Sequence, residues 1–221
     1  MAEDGPGDFT DKDPLFASAG TSNPDCHLKS KAGRYTSSGW VYGTDPNTSP
    51  CIDAGEQSSN YTNEPLFNGG RVNMGAYGNT IYASKSPCKI KNTLTNEYMH
   101  NEYTYNQDNG IVQCSSLENP GWWSARWTFI DLGNGYYKIQ SIYSGKWMNT
   151  EHYNSYVQCD ADDFGWAAQW YMVNNGNGNY YFKNRHRNTY MNMQNQSDQV
   201  ELSGTLNNSS YWILETAPKP Y

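Results

Sequence analysis

The chain has 221 residues, 36% hydrophobic and 15% aromatic, with 19 Tyr, 8 Trp and 20 Gly, and its mean hydropathy is −0.89. A formal net charge of −7 argues against a general nucleic-acid or anionic-membrane surface, because both repel a net anion. No apolar run approaches the roughly 20 residues of a spanning helix, no secretory signal is visible, and aromatics among abundant Gly and Asn favour strands joined by tight polar turns.

The opening MAEDGPGDFTDKDP carries Asp4, Asp8, Asp11 and Asp13 and reads as a solvated acidic start, as of a cut made inside a longer chain. Residues 1–86 continue as short polar segments punctuated by Gly, Asn and Pro: DPLF (Asp13 to Phe16), CHLKSKAGR, SPCIDAG (Ser49 to Gly55) and RVNMGAYGNT. Over about residues 12–84 their order resembles the last coils of right-handed parallel β-helix proteins, many of them polysaccharide-active. Each coil of such a fold buries its apolar face on the next. One or two coils therefore imply that preceding coils, and any catalytic groove, belong to a longer parent. An irregular extension is the other reading of the same residues. The five cysteines (Cys26, Cys51, Cys88, Cys114, Cys159) are odd in number and show no CxxC spacing, so no zinc site is expected. A Cys26–Cys51 bridge is compatible with the sequence without being demanded by it.

From about residue 88 the chain repeats itself three times. The copies begin CKIKNTLTNEYMHNE, YKIQSIYSGKWMNTE and YYFKNRHRNTYMNMQ, and close on RWTFID, QWYMV and YWILE. Ile90 to Met99, Ile139 to Met148 and Phe182 to Met191 are each nine residues apart; Val112, Val157 and Val200 follow, and Trp127, Trp170 and Trp212 close the copies. Each copy reads as four short strands, in the first IKN, YMHNE, GIVQC and RWTFI. Three copies of four strands make a β-trefoil, a barrel with a hairpin cap that leaves no free sheet edge. The expected fold is all-β: a trefoil over residues 87–221 preceded by an irregular β-rich segment over 1–86. Apolar positions recurring in every copy are expected to be core.

A second set of residues recurs in two copies only. Glu102 and Glu151 each follow the repeat methionine by three, where the third copy has Gln194. Gly121-Trp122 and Gly165-Trp166 precede the closing tryptophan, where the third copy has Asn207-Asn208. The Gly-Trp match pairs Trp166 with Trp122, whereas counting back from the closing tryptophan pairs it with Trp123; the similar turns Pro120-Gly121 and Phe164-Gly165 favour the former. A core does not readily give up a tryptophan, but a ligand site does. An exposed indole offers a flat apolar face to the C–H side of a pyranose, and a carboxylate accepts hydrogen bonds from two sugar hydroxyls.

The pattern YMHNE…GIVQ…NPGWWSARW with WMNTE…YVQ…GWAAQW resembles carbohydrate-binding module family 92, a ricin-like β-trefoil, over residues 88–216. The resemblance implies one shallow Trp-plus-Glu site per repeat, for β-1,3- and β-1,6-glucans or, in some members, algal galactans. Carried over, it implies Glu102 with Trp122 or Trp123, Glu151 with Trp166, and a degenerate third copy. Gln113 and Gln158 either reach the sugar or point outward from their strands. Lys183, Arg185 and Arg187 in FKNRHRN read as a solvated strand-turn, or alternatively as a contact to a sulfated or uronic polymer. His100, His152 and His186 are expected at the surface without a role. No Ser-His-Asp, Cys-His or metal motif appears, and Glu102 and Glu151 fall in separate repeats, so no paired acid–base work is expected.

The expected protein is thus a monomeric, non-catalytic polysaccharide-binding domain, without metal or cofactor, on the end of a secreted bacterial polysaccharide-degrading parent. Two rivals remain open at this point: an enzyme fragment with a site in residues 1–86, and a trefoil that binds proteins.

Overall fold

The computed structural model describes residues 12–101, 110–116, 123–195 and 198–217. It is all-β, with 3₁₀ turns as the only helical elements among the described residues, and it divides into two compact units, Met1–Pro87 and Cys88–Tyr221.

The first unit holds β1 (Phe16–Ser18), β2 (Asp25–Leu28), β3 (Arg34–Thr36) and β4 (Gly39–Val41). β1 pairs with β2, and β3 with β4, both antiparallel. Single backbone bonds link successive segments, Lys29 N–H to Leu15 O and Ser49 N–H to Lys29 O, each 2.9 Å. The apolar core is small, Leu28, Cys51 and Ile52 with Phe16 and Met74 packed on them, so buried polar groups carry much of the order. Buried Asp45 accepts from the Ser30 N–H and from Arg34 Nε, both at 2.9 Å. Buried Glu64 accepts from the N–H groups of Asn73 and Asn79, both at 2.8 Å. Burial raises the Glu64 pKa, and those two donors partly offset the rise. All five cysteines of the chain are free thiols, so the Cys26–Cys51 bridge that the sequence permits is not formed.

The second unit contains β5 (Cys88–Asn92), β6 (Tyr98–His100), β7 (Gly110–Ile111), β8 (Gln113–Ser115), β9 (Trp127–Asp131), β10 (Tyr136–Ser141), β11 (Trp147–Asn149), β12 (Gln158–Asp160), β13 (Trp170–Asn174), β14 (Asn179–Asn184), β15 (Tyr190–Asn192), β16 (Glu201–Ser203) and β17 (Trp212–Thr216). Antiparallel pairing runs β5–β9–β10–β13–β14–β17 and returns from β17 to β5, with Thr216 opposite Cys88, so six strands close a barrel. The hairpin pairs β6–β8, β11–β12 and β15–β16 form the cap. β5 and β10 alternate buried and half-buried residues, the period-two pattern of strands with one face on a core.

The same turn leads from the first to the second strand of every repeat. Asn96, Gly145 and Asn188 take positive φ, each donating its N–H to the carbonyl four residues back; Asn and Gly are the residues that tolerate this conformation. Ile90, Ile139, Phe182, the three repeat methionines, the three valines and the three closing tryptophans are all fully buried. The valines meet at the pseudo-three-fold axis. Val112 N–H donates to Val157 O, Val157 N–H to Val200 O, and Val200 N–H back to Val112 O, each at 2.8 Å.

One departure from symmetry lies in the core. Trp127 and Trp170 donate Nε1–H to the carbonyls of Met99 and Met148 at 3.0 Å, whereas the Trp212 Nε1 is buried with no hydrogen-bond partner. Trp170→Phe is therefore expected to cost about 1 kcal/mol more than Trp212→Phe, read by urea unfolding of the two variants. The thiols allow a second check. Burial raises the pKa of Cys88, Cys114 and Cys159 well above the ordinary thiol value, and Cys51 is also buried. Ellman's reagent is expected to modify Cys26 alone in the native protein and all five cysteines after unfolding.

Candidate functional site

Each repeat brings the end of its second strand to the 3₁₀ turn before its fourth. The contact is one backbone bond, the same in all three: Asn101 N–H to Ser124 O at 3.1 Å, Thr150 N–H to Ala167 O at 3.2 Å and Met193 N–H to Ser209 O at 3.2 Å. The residues next in the chain after Asn101, Thr150 and Met193 are Glu102, Glu151 and Gln194; those just before Ser124, Ala167 and Ser209 are Trp123, Trp166 and Asn208. In the second repeat the acid and the ring therefore stand on neighbouring, hydrogen-bonded backbone.

This register corrects the Gly-Trp alignment: the structural counterpart of Trp166 is Trp123. The turn bonds agree, with Arg126 N–H donating to Trp123 O and Gln169 N–H to Trp166 O, both at 3.1 Å. Glu102 and Trp122 lie outside the described residues. Trp123 is half-buried, and the buried Arg126 guanidinium lies over its ring at 4.4 Å.

The second repeat shows the station whole. Trp166 is 60% exposed, the most exposed tryptophan among the described residues. The Arg185 guanidinium lies 4.4 Å from its ring centroid and 4.7 Å from that of Tyr136, and donates to Gln169 Oε1 at 2.6 Å. One indole face is thereby covered and the other remains open to solvent. Glu151 is exposed; its N–H is capped by Asn149 Oδ1 at 3.0 Å, and its carboxylate has no partner among the described residues. Gly165, at φ +55°, precedes Trp166, and a Cβ there would meet open space, so the gap beside the indole stays clear.

The loop carrying Glu151 is held from the third repeat. Arg187 donates Nε–H to Thr150 O at 2.6 Å, Nη1–H to Asn154 Oδ1 at 2.7 Å and Nη2–H to Glu151 O at 3.1 Å. Gln158 holds it from below: fully buried, it accepts the Tyr153 N–H at 3.1 Å. Gln158 is thus a loop tether and does not point outward; in the third repeat Glu201 does the same work, accepting from Asn195 N–H at 3.3 Å and Nδ2 at 2.8 Å. Gln113, half-buried, forms an isolated bridge with Gln199. Arg187 is likewise a positioning residue, although the basic run FKNRHRN signalled only charge. His152 and His186 are exposed, but His100 is buried, contrary to the surface position expected of it, and burial lowers its pKa.

The third repeat closes its own station. Asn207 Nδ2–H donates to Gln194 Oε1 at 3.0 Å, and Asn207 Oδ1 accepts from Ser209 N–H at 3.0 Å. The amide at the glutamate's place and the amide at Gly165's place bind each other, and Asn208 stands at the place of the ring.

Among the described residues no group of His, Cys, Asp or Glu is placed to hold a metal ion. In the first unit the carboxylates nearest a catalytic arrangement are already engaged. Asp25 meets Arg34 at 3.3 Å and His27 at 2.6 Å, and Asp45 meets Arg34 at 2.9 Å. Burial raises the Asp25 pKa, but hydrogen bonds from His27 and the Arg34 charge outweigh it and hold the group below its ordinary value.

Comparison with known proteins gives the class. The profile of ricin-type beta-trefoil lectin domain-like proteins matches residues 123–205, and a profile described as disaggregatase related matches residues 5–55. No curated protein matches the chain. Among solved structures, the designed three-fold symmetric protein ThreeFoil is 25% identical with a TM-score of 0.52, over 58% of this chain and 97% of that one. A GlcNAcα1-4Gal-releasing endo-β-galactosidase from Clostridium perfringens is 20% identical with a TM-score of 0.53, over 62% of this chain and 35% of that one. A salivary protein from Culex quiquefasciatus, of the Cysteine and Tryptophan-Rich family, is 20% identical with a TM-score of 0.50, over 59% of this chain and 93% of that one. Residues 123–205 carry a ricin-type lectin-like domain, and the closed barrel with its three capping hairpins is a β-trefoil.

The Arg187 clamp can be checked directly. Arg187→Ala removes three hydrogen bonds to the 150–154 loop and is expected to cost about 1–3 kcal/mol, with faster amide exchange at Tyr153. Equal exchange in variant and wild type would show that the loop is held without it.

Proposed function

We propose that the trefoil binds a polysaccharide without cleaving it. The observation that carries this reading is Trp166, an indole with one face supported by Arg185 and the other open, near Glu151, whose carboxylate has no partner among the described residues. A sugar ring stacked on the open face buries C–H surface, while the carboxylate takes two of its hydroxyl protons. Such a shallow site is worth about −4 to −6 kcal/mol, millimolar to tens of micromolar. A second site on the same rigid domain adds avidity when one polymer reaches both. Trp123 with Glu102 is the counterpart in the first repeat, with Trp122 as its neighbour. The third repeat, with Gln194 and Asn207 bonded to each other, contributes no site.

The ricin-type lectin profile over residues 123–205 supports a glycan ligand. The resemblance to carbohydrate-binding module family 92 favours β-1,3- or β-1,6-glucan, with an algal galactan second. On this reading the domain keeps a secreted bacterial polysaccharide-degrading parent on its substrate, and residues 1–86 belong to the end of that parent's β-helix. Catalysis by the trefoil itself is disfavoured by chemistry. Glycoside hydrolysis needs two carboxyls about 5–10 Å apart across one bond, and Glu102 and Glu151 belong to different repeats.

The test is affinity electrophoresis in gels containing β-1,3-glucan, β-1,6-glucan, agarose or carrageenan. The chain is expected to be retarded in at least one, and Glu151→Ala and Trp166→Ala each to lose most of that retardation. Both side chains are exposed, so the melting temperature should fall by little, the cation–π contact of Trp166 being worth about 0.5–1 kcal/mol. Free migration in every gel would move the function to protein binding. Release of reducing sugar from the same polymers would restore the enzyme reading.

A further inference from the structure

A second feature lies on the outer face where the second and third repeats meet. A cleft of about 330 Å³ is lined by Tyr136, Tyr171, Tyr181, Lys183, Arg185 and Tyr190, with two asparagines. Strand register explains it. Tyr136 on β10 stands opposite Tyr171 on β13, Tyr171 opposite Lys183 on β14, and Lys183 opposite Tyr190 on β15. Directly opposed residues share a face, so these four form one rung across four strands, a strip of roughly 14 Å at about 4.8 Å per strand. That is the length of a short oligosaccharide.

The charge of the strip is unusual for this chain. Acids outnumber Lys and Arg by 22 to 15 overall, yet no acid lines the cleft. Lys183 Nζ lies over the Tyr190 ring at 5.2 Å and Arg185 over Tyr136 at 4.7 Å, and neither cation has an acidic partner among the described residues. The corresponding rungs differ. In the rung Asn179–Ile213–Lys91–Tyr98 an acid is on hand, Glu215 accepting the Tyr98 hydroxyl at 2.8 Å. In the rung Thr128–Gln140–Trp147 the place of Lys183 is taken by Gln140, and nearby Lys138 is bonded to Asp163. Among the described residues, only the cleft between the second and third repeats pairs a tyrosine floor with two cations that have no acidic partner.

A free inorganic anion has no use for four tyrosine rings, and two cations without an acidic partner bind an anionic group more strongly than a neutral hydroxyl. We infer that this cleft is a second saccharide site, selective for a sugar that carries an anionic group, a sulfate ester or a uronate carboxylate. Its tyrosines contact the ring and its hydroxyls, and Lys183 and Arg185 take the charge. Arg185 is common to the cleft and to the covered face of Trp166. The inference rests on the glycan-binding reading above and adds to it a second site for polymers that bear negative charge.

The experiment is affinity electrophoresis of the full chain in carrageenan, polygalacturonate, agarose and β-1,3-glucan gels, with Lys183→Gln, Tyr171→Ser and Lys12→Gln compared with wild type. Lys12→Gln makes the same charge change in the other unit. Lys183→Gln is expected to weaken retention by carrageenan or polygalacturonate about 5-fold and to flatten its dependence on salt. Retention by neutral gels should be unchanged, and Lys12→Gln should match wild type. Carrageenan alone would name the sulfate ester, polygalacturonate alone the carboxylate. Tyr171→Ser should weaken the same anionic gel. The inference is overturned if Lys183→Gln and Lys12→Gln behave alike, or if wild type is retained by neutral gels only; the Trp166 site survives both results. If wild type is retained by none of the four, the glycan-binding reading fails and this site with it.

Discussion

Three backbone hydrogen bonds at the pseudo-three-fold axis set the frame for everything else in the trefoil. Val112, Val157 and Val200 each donate an N–H to the next copy's carbonyl, in a cycle with no first member. The cycle needs all three repeats at once, because a single four-stranded unit leaves its barrel strands without neighbours and its apolar face wet. The methionines and closing tryptophans pack around this axis fully buried. Their positions fix where each second strand ends and each 3₁₀ turn begins.

That fixed frame lets the three surface stations differ without altering the fold. The bond between the second strand and the 3₁₀ turn persists in every repeat, whether the neighbouring side chains are Glu151 and Trp166 or Gln194 and Asn208. Support for the candidate residues crosses repeat boundaries. Arg187 and Arg185 both leave the turn after β14, one to clamp the Glu151 loop and the other to back the Trp166 ring. The second station is therefore built from two repeats, and its quality depends on what the third supplies. The third repeat, having lost its own ring, still serves its neighbour.

The fold was legible because symmetry demands repetition. The nine-residue spacing from Ile90 to Met99, Ile139 to Met148 and Phe182 to Met191 is the length of one strand, one turn with a residue at positive φ, and the start of the next strand. The candidate site was legible in kind but not in register. Geometry counts from the closing tryptophan through the 3₁₀ turn, so Trp166 answers to Trp123, while the glycine that made Trp122 attractive lies before that turn. Gln158 was open to two readings, reaching the sugar or pointing outward, because strands usually alternate, yet all three residues of β12 are buried. His100 is hidden at the end of β6, next to the buried Met99. Arg187 acts on residues far earlier in the chain, and no local pattern reports such a reach. In the first unit the composition showed turns and short strands, but pairing within so small a core depends on buried polar contacts such as those of Asp45 and Glu64, which no periodicity encodes.

The pairing of β17 with β5 carries a consequence beyond closure. With Thr216 opposite Cys88, the polypeptide enters and leaves the trefoil at adjacent points on one seam, and that seam is equivalent to the two uncut junctions between repeats. The sequence order of the copies is thus a convention of where the ring was opened. A circularly permuted gene, opened in the Gly133–Gly135 or Gly176–Gly178 turn and joined across residues 216 and 88, encodes the same barrel. A domain whose ends lie side by side can also be spliced into a surface loop of another protein as readily as it can be hung from a terminus.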